Sequence, residues 1–208
     1  MLKRIGAAEI AFVGNGPVAT DVADAVDGAD WVVRFNKTRG YGGPTGRRVD
    51  DLFLVNCGGQ MHEWLRDDAF WRARPVSAAR YVSLPVASPY RQSGLAIYAR
   101  SGPRDRDGVN FETDVRRRLR DRGASVRTLP DAMRRDAIAA LSRIGDGPDG
   151  PIWPSTGFLA LYWYDRMTDP AATLTLYGYG FTGWPGHPWA RERAWVERRA
   201  RSGRIRLA

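Results

Sequence analysis

This 208-residue chain has two histidines, the residue type whose side chain exchanges a proton near neutral pH. The residues around the two histidines differ. His62 lies in MHEWLRDDAFWR, where we expect an exposed or N-terminal position on a helix. His187 follows GWPG and opens a helical run just past a buried strand, and Glu192 lies in the same run. A histidine beside a hydroxyl can remove its proton. We therefore predict His187 as a general base oriented by Glu192; the alternatives are a capping or packing role for His187 and an arginine partner for Glu192.

A glycine turn near the start of the sequence could hold a phosphate. The stretch IAFVGNGPVATD is typical of a strand, a turn at Gly14, Asn15 and Gly16, and the first turn of a helix. Glycines let the backbone approach a phosphate, and a helix N-terminus offers N–H groups and a partial positive charge. Asn36 ends the next strand, WVVRFN, so its amide could reach the same ligand from the side. Two amides beside one phosphate turn favour a mononucleotide.

The same turn also fits a dinucleotide site. GNGPVA matches the fingerprint G-x-G-x-x-A. Such a site normally has Asp or Glu at the end of the second strand, whereas this strand carries Arg34, which could meet a 2′-phosphate. An NADP-binding Rossmann oxidoreductase is therefore an alternative, although a Tyr-x-x-x-Lys pair is not evident. A tight turn without a ligand is another.

Alternating strand and helix patterns must position these residues. They predict one α/β domain over residues 1–208, Rossmann-like, with a mostly parallel sheet flanked by helices. Ligands bind at the carboxyl ends of the strands in such sheets, where the candidate residues lie. Strands are predicted over 9–14, 30–36, 49–56, 79–86, 125–129, 173–180 and 204–208, and helices over 17–28, 61–72, 110–123, 130–145, 155–167 and 187–203.

Composition limits the class of protein. The net charge is +9, but the arginines are dispersed, so a solvated surface is favoured and nucleic acid is an unlikely partner. No run approaches the ~18 apolar residues of a transmembrane helix. Cys57 is the single cysteine, so an intrachain disulfide and a CxxC metal site are excluded. We expect a cytoplasmic protein without a membrane span.

Three motifs, in order along the chain, resemble those of the family 29 glycosyltransferases, the sialyltransferases. The first combines the turn VGNG, the strand end RFN and the segment GRRVD. The second is PSTGFLALYWYD with LTLYGYGF, and the third is HPWARE with its His-x4-Glu spacing. The matching residues of the second and third motifs are Pro154, Ser155, Thr156, Gly157, Tyr177, Gly178, Gly180, His187 and Glu192.

The resemblance implies a variant of the GT-A fold, a CMP-activated donor of sialic acid or a related keto-sugar, inverting transfer, and no required metal or other cofactor. Asn15 and Asn36 would contact the phosphate and ribose of CMP, and His187 would take the proton of the acceptor hydroxyl. The residues predicted to bind nucleotide or donor are Gly14, Asn15, Gly16, Arg34, Asn36, Ser155, Thr156, Gly157, Tyr177 and Gly178.

The resemblance therefore predicts a short, soluble, bacterial-type glycosyltransferase with an unidentified acceptor. Two alternatives share the same fold. One is a CMP-sugar hydrolase, in which water replaces the acceptor. The other is a non-catalytic accessory protein that binds a cytidine nucleotide.

Overall fold

A parallel sheet forms the centre of the molecule. The computed structural model describes residues 8–87, 109–145 and 152–208, and the strands within these ranges form one seven-stranded, all-parallel sheet of order β5-β4-β3-β2-β1-β6-β7. The predicted α/β fold class is confirmed. The strands are β1 (Glu9–Val13), β2 (Trp31–Phe35), β3 (Asp51–Phe53), β4 (Tyr81–Leu84), β5 (Ser125–Thr128), β6 (Thr173–Tyr177) and β7 (Ile205–Leu207).

Helices cover both faces of the sheet, so the central strands are buried on both sides and consist of nearly continuous apolar residues. β1 illustrates this, since every residue after Glu9 is buried. No helix of the described residues is both long and apolar enough to cross a bilayer. The helices are α1 (Ala23–Gly28), α2 (Gly58–Trp64), α3 (Asp68–Arg72), α4 (Arg74–Ala78), α5 (Glu112–Leu119), α6 (Asp131–Ser142), α7 (Thr156–Met167) and α8 (Trp189–Arg201).

The two faces have separate cores. Alternate residues of the strands pack with α6, α7 and α8 on one face, including Phe12, Phe35 and Leu176. The intervening residues face α1 and the segment α2 to α5 on the other, including Leu52 and Val82. This alternation follows from the two-residue period of a strand. It also determines toward which face each polar strand residue points.

The predicted helix over 61–72 is divided into α2 and α3. The side chain of Asp67 accepts a hydrogen bond from Ala69 N at 2.9 Å and so caps the second helix. Asp is a preferred N-cap because it satisfies an otherwise unpaired amide. The short helix α4, which begins around Pro75, was not predicted. His62 is half-buried on α2, with its ring against Phe111, rather than exposed.

A buried polar network links α7 to four strands, β2 to β5. Ser83 Oγ donates to Asp51 Oδ1 at 2.7 Å, and the Tyr164 hydroxyl donates to Oδ2 at 2.7 Å. Arg127 forms an ion pair with Asp51, and its Nε donates to Ser83 Oγ at 2.8 Å. Trp31 Nε1 donates to the Tyr164 hydroxyl at 2.8 Å. Burial raises the pKa of Asp51, although Arg127 opposes this shift.

Candidate functional site

The order of the strands places the candidate site between β1 and β6. The chain moves outward from β1 to β5 on one side and then returns to the other side of β1 with β6. Such a switch point leaves a crevice at the carboxyl ends of the two strands, where α/β proteins bind ligands. The turn after Val13 and the loop after Tyr177 lie at this crevice, because the two residues are register partners.

Backbone groups close this crevice. Gly14 N donates to Tyr177 O at 2.8 Å, and Gly16 N donates to Gly178 O at 2.9 Å. A Cβ at Gly14 would lie 2.4 Å from Gly178 O, and one at Gly178, whose φ is +63°, would lie 2.8 Å from Gly16 O. The glycines of the turn therefore permit close contact between two segments of the chain, and the amides of Gly14 and Gly16 are already used.

The helix after the glycine turn begins later than predicted. The sequence predicts a helix from Pro17, but α1 begins at Ala23 and has six residues. Val22 N donates to Pro44 O at 2.9 Å, so the segment before α1 is held by a distant loop. The predicted helix N-terminus at the turn is wrong. The turn therefore lacks the aligned amides on which a phosphate site of the dinucleotide type depends.

The two candidate asparagines brace neighbouring backbone segments. Asn15 Nδ2 donates to Phe35 O at 3.0 Å, and Arg39 N donates to Asn15 Oδ1 at 2.9 Å. Asn36 has a φ of +51°, and its Oδ1 accepts from Val55 N at 2.9 Å. Both side chains thus lie at the carboxyl ends of β1 and β2, as predicted. The amide oxygen and nitrogen of Asn15 are occupied, whereas Asn36 Nδ2 donates to none of the described residues.

Arg34 is fully buried on the face of the sheet beneath the Gly-rich loop, GYGGPTGRR, at residues 40–48. Its Nε donates to Arg48 O at 2.8 Å, and one terminal nitrogen donates to Thr45 Oγ1 at 3.0 Å. The other terminal nitrogen donates to the carbonyls of Thr45 and Gly46. Burial lowers the pKa of Arg34 to about 10, so it is still charged at neutral pH. A contact with a nucleotide would require these bonds to break, and we assign Arg34 to positioning of the loop.

Tyr177 also has its side chain in the core. It is 6% exposed and packs with Val13, Val26 and Val32 on the face that carries α1. Its carbonyl, rather than its ring, reaches the glycine turn. The candidate role of Tyr177 in binding a nucleotide therefore reduces to its backbone.

A helix N-terminus does reach this edge of the sheet, at α7. Ser155 is the N-cap, with its Oγ accepting from Phe158 N at 3.0 Å. The amides of Thr156 and Gly157, in the first turn, donate to none of the described residues. The Tyr179 ring lies against Gly157 and meets the Phe35 ring edge-on at 5.9 Å. These aromatic contacts connect the start of α7 to the ends of β2 and β6.

Glu192 is buried against the start of α7. Ser155 N donates to Glu192 Oε1 at 2.7 Å, and Ser155 Oγ donates to Oε2 at 2.8 Å. Burial raises the pKa of Glu192 to about 7, although both hydrogen bonds from Ser155 oppose the shift. The carboxyl group is therefore close to half-protonated at neutral pH.

His187 lies between two tryptophan rings. Trp184 and Trp189 approach it edge-on, with ring centroids at 4.9 and 5.0 Å. Its Nδ1 lies 2.8 Å from Trp153 O, and because a carbonyl only accepts, Nδ1 carries the proton of the neutral ring. Burial lowers the pKa of His187. The predicted pairing with Glu192 is not formed, since Glu192 bonds Ser155 instead.

The structure thus brings together the start of α7, Glu192, Asn36 and the glycine-turn backbone, and it separates Arg34 and the Tyr177 ring from them. Sequence reasoning missed Tyr179, which connects these parts. Its position in GYG, directly after the strand, was the available signal. In the described residues, His, Cys, Asp and Glu do not form a group of three or more that could hold a metal ion.

Similarity to known proteins defines the family. No protein-family model matches the chain. The urease operon 23 kDa accessory protein of Rhizobium meliloti (strain 1021) is 30% identical to it, and the aligned region covers 95% of this chain and 91% of that protein. This chain belongs to the family of that accessory protein. The relationship covers nearly the whole of both proteins.

The fold of this accessory-protein family member resembles that of sialyltransferases. A crystal structure of a mammalian sialyltransferase matches with a TM-score of 0.56 and 17% identity, over 97% of this chain and 69% of that one. A mammalian sialyltransferase in complex with Gal-beta-1-3GalNAc-ortho-nitrophenol matches with a TM-score of 0.55 and the same identity and coverage. At this identity the likeness shows the fold alone.

The predicted activity is therefore corrected. The sequence motifs predicted a CMP-sugar glycosyltransferase with His187 as its base, and the fold part of that resemblance is confirmed. The enzyme part is wrong, because the relative that covers nearly the whole chain is an accessory protein. A shared fold does not carry a shared reaction.

Proposed function

We propose that this chain is a non-catalytic accessory protein that acts alongside urease. The observation that carries the proposal is the 30% identity to the urease operon 23 kDa accessory protein over 95% of this chain. The site supports a role without turnover, because backbone bonds between the glycine turn and Gly178 close the crevice at the switch point. An accessory role requires the binding of a protein partner rather than space for two reacting substrates.

The second part of the proposal is that the start of α7 binds a cytidine nucleotide as a ligand that is not turned over. The amides of Thr156 and Gly157 point out of a 12-residue helix whose N-terminus favours anions. Asn36 Nδ2 is the remaining amide donor on the β2 side. The glycine turn contributes only its shape, since the amides of Gly14 and Gly16 bond the loop after β6. The proposal of a nucleotide ligand rests on the motif resemblance and is independent of the proposed role toward urease.

Glu192 couples such a ligand to protons. Its carboxyl lies within the cap of α7, where a negative charge competes with an incoming phosphate. Burial raises the pKa of Glu192 to about 7, so the protonated form, which repels an anion least, dominates below that pH. Anion binding should therefore be accompanied by proton uptake at Glu192.

Expression of the matching urease operon in a host without urease tests the accessory role. We expect urease activity per urease molecule to fall when the gene for this chain is deleted, and the chain to co-purify with urease subunits. Complementation with His187→Asn should restore activity, because Asn can keep the donor toward Trp153 O but cannot act as a base. Unchanged urease activity in the deletion, without co-purification, would refute the accessory role.

Calorimetry with CMP tests the ligand. We expect binding about tenfold tighter at pH 6 than at pH 8, from the change in protonated fraction of a group with a pKa near 7. The variant Glu192→Gln is the matched control, because it removes the titrating group and leaves the phosphate of CMP to titrate alone. No heat of binding at either pH would eliminate the nucleotide while leaving the accessory role intact.

A further inference from the structure

A groove lies at the carboxyl ends of β6 and β7, beside α8. It is lined mainly by Leu176, Phe181, Leu207 and Arg193, and its volume is about 240 Å³. That is below the roughly 300–1,000 Å³ of small-molecule sites. The groove is therefore suited to one protruding side chain rather than to a cofactor.

Apolar side chains are exposed at and next to this groove. Leu207 is 50% exposed and Trp184 is 44% exposed, and these are the large hydrophobic residues with the highest exposure in the described part of the chain. The loop that carries Trp184 leaves the groove at Phe181 and returns to α8 through Trp189, whose Nε1 donates to Trp184 O at 3.0 Å. Exposed aromatic and aliphatic anchors beside a groove are typical of protein-binding surfaces.

Arginines outnumber acidic residues on α8, the helix beside the groove. Arg193 lies over the Phe181 ring, 5.4 Å from its centroid, and therefore stands at the wall of the groove. Arg199 and Arg204 both form ion pairs with Asp165, a buried carboxylate. The other arginines of α8 form ion pairs with no carboxylate of the described residues, and Glu197 is the single acidic residue that lines the groove. These arginines are Arg191, Arg193, Arg198 and Arg201.

Next to the same groove, β7 forms an edge of the sheet as far as the described residues go. In the described residues β7 pairs with β6 alone, at one end of the sheet. Leu174 N donates to Arg204 O at 3.2 Å, and Ala208 N donates to Leu176 O at 3.1 Å. Since alternate residues of a strand bond opposite sides, the backbone groups of Ile205 and Leu207 face away from β6. An extended peptide can pair with such an edge.

We propose that this surface, formed by the groove, the β7 edge and the arginines of α8, binds an extended, acidic segment of a partner protein with an apolar side chain in the groove. Charge complementarity with Arg193 and its neighbours selects acidic residues, and the apolar lining selects Leu-like or aromatic anchors. A nucleic acid fits the groove itself less well, because Leu176 and Leu207 in its wall are aliphatic and Arg193 covers the Phe181 ring. The inference rests on the proposed accessory function for the class of partner, a protein.

Fluorescence anisotropy on the whole chain tests the inference. The probe is a labelled peptide that alternates Glu with Leu, compared with a Lys–Leu peptide, a Glu–Ser peptide and a single-stranded oligonucleotide of equal charge. We expect the Glu–Leu peptide to bind most tightly. Arg193→Glu and Leu207→Asp should each weaken it by about tenfold, whereas Arg120→Glu, an equal charge change at the exposed end of α5, should not.

Each other outcome overturns the inference. Tighter binding of the oligonucleotide would show that the surface binds polyanions in general. Equal affinity for the Glu–Ser and Glu–Leu peptides would show that an apolar side chain in the groove does not contribute to binding. Self-association of the chain that Leu207→Asp abolishes would make the occupant a second copy. No binding of any peptide, or equal loss in Arg120→Glu, would also contradict it. The peptide assay contains no urease, so a negative result in it does not contradict the proposed role toward urease. Conversely, a failure to co-purify with urease does not affect the interpretation of the peptide assay.

Discussion

Glu192 and Ser155 are joined by two hydrogen bonds, at 2.7 Å to the backbone amide and 2.8 Å to the hydroxyl, although 37 positions separate them in the chain. The chain thereby places its own carboxyl group at the N-terminus of α7, where an external anion would otherwise be the natural partner. This contact links α8 to the start of α7. It also makes the cap of α7 sensitive to pH.

The first prediction concerns stability against pH. Burial raises the pKa of Glu192 from 4.5 to about 7, so between these values the native state binds more protons than the unfolded chain. Stability then falls as pH rises, and the full shift corresponds to about 3 kcal/mol in the free energy of unfolding. We expect urea denaturation to show wild type losing about this much, relative to Glu192→Gln, between pH 4 and pH 8. Parallel pH profiles for the two proteins would contradict the assignment.

The second prediction concerns the contact between the glycine turn and the loop after β6. Gly178→Ala should lower the free energy of unfolding by about 3 kcal/mol, because its Cβ would lie 2.8 Å from Gly16 O at a φ of +63°. Gly28→Ala is the control, since its Cβ meets nothing within 4 Å and Ala favours a helix. Denaturant titration of both variants decides the matter. Equal stability of the two variants would mean that the crevice is not closed by backbone contact.

The sequence predicted the elements well where one local pattern determines them. β1 after Glu9 and β2 apart from Arg34 are apolar because both of their faces are covered, and α7 begins after the cap that Ser155 provides. The glycine turn was misinterpreted for a physical reason. A missing Cβ permits approach of a phosphate or of another backbone segment equally, and only the position of Gly178 distinguishes the two.

The partners of the polar residues could not be predicted, because they are distant in the sequence. Arg34 has the spacing of a ligand-binding residue, yet its donors go to the loop at Thr45 to Arg48. Glu192 was expected beside His187, yet it bonds Ser155. No local pattern encodes which of several polar groups lies nearby once the helices pack.

The third prediction concerns Arg34 and the Gly-rich loop. Arg34→Lys should free the segment 45–48, because one ammonium cannot reproduce a planar guanidinium that bonds three carbonyls and a hydroxyl. We expect a loss of about 2 kcal/mol in stability and faster hydrogen exchange within this segment. Exchange in β6 should stay unchanged and serves as the internal control. If CMP affinity falls while exchange at 45–48 does not change, Arg34 contacts the ligand rather than the loop.

The fourth prediction concerns the buried ion pair of Asp51 and Arg127. Arg127→Met should cost about 3–5 kcal/mol, because it leaves the buried carboxyl of Asp51 with only Ser83 and Tyr164 as donors. Asp51→Asn removes the charge; its amide oxygen can accept from one of the two hydroxyls, and its NH2 group can donate to the oxygen of the other. In the double variant the charge imbalance is absent, so the combined loss should be smaller than the sum of the single losses by about 1–3 kcal/mol. Additive losses in a double-mutant cycle, measured by urea denaturation at constant pH, would show that Arg127 and Asp51 do not stabilise each other.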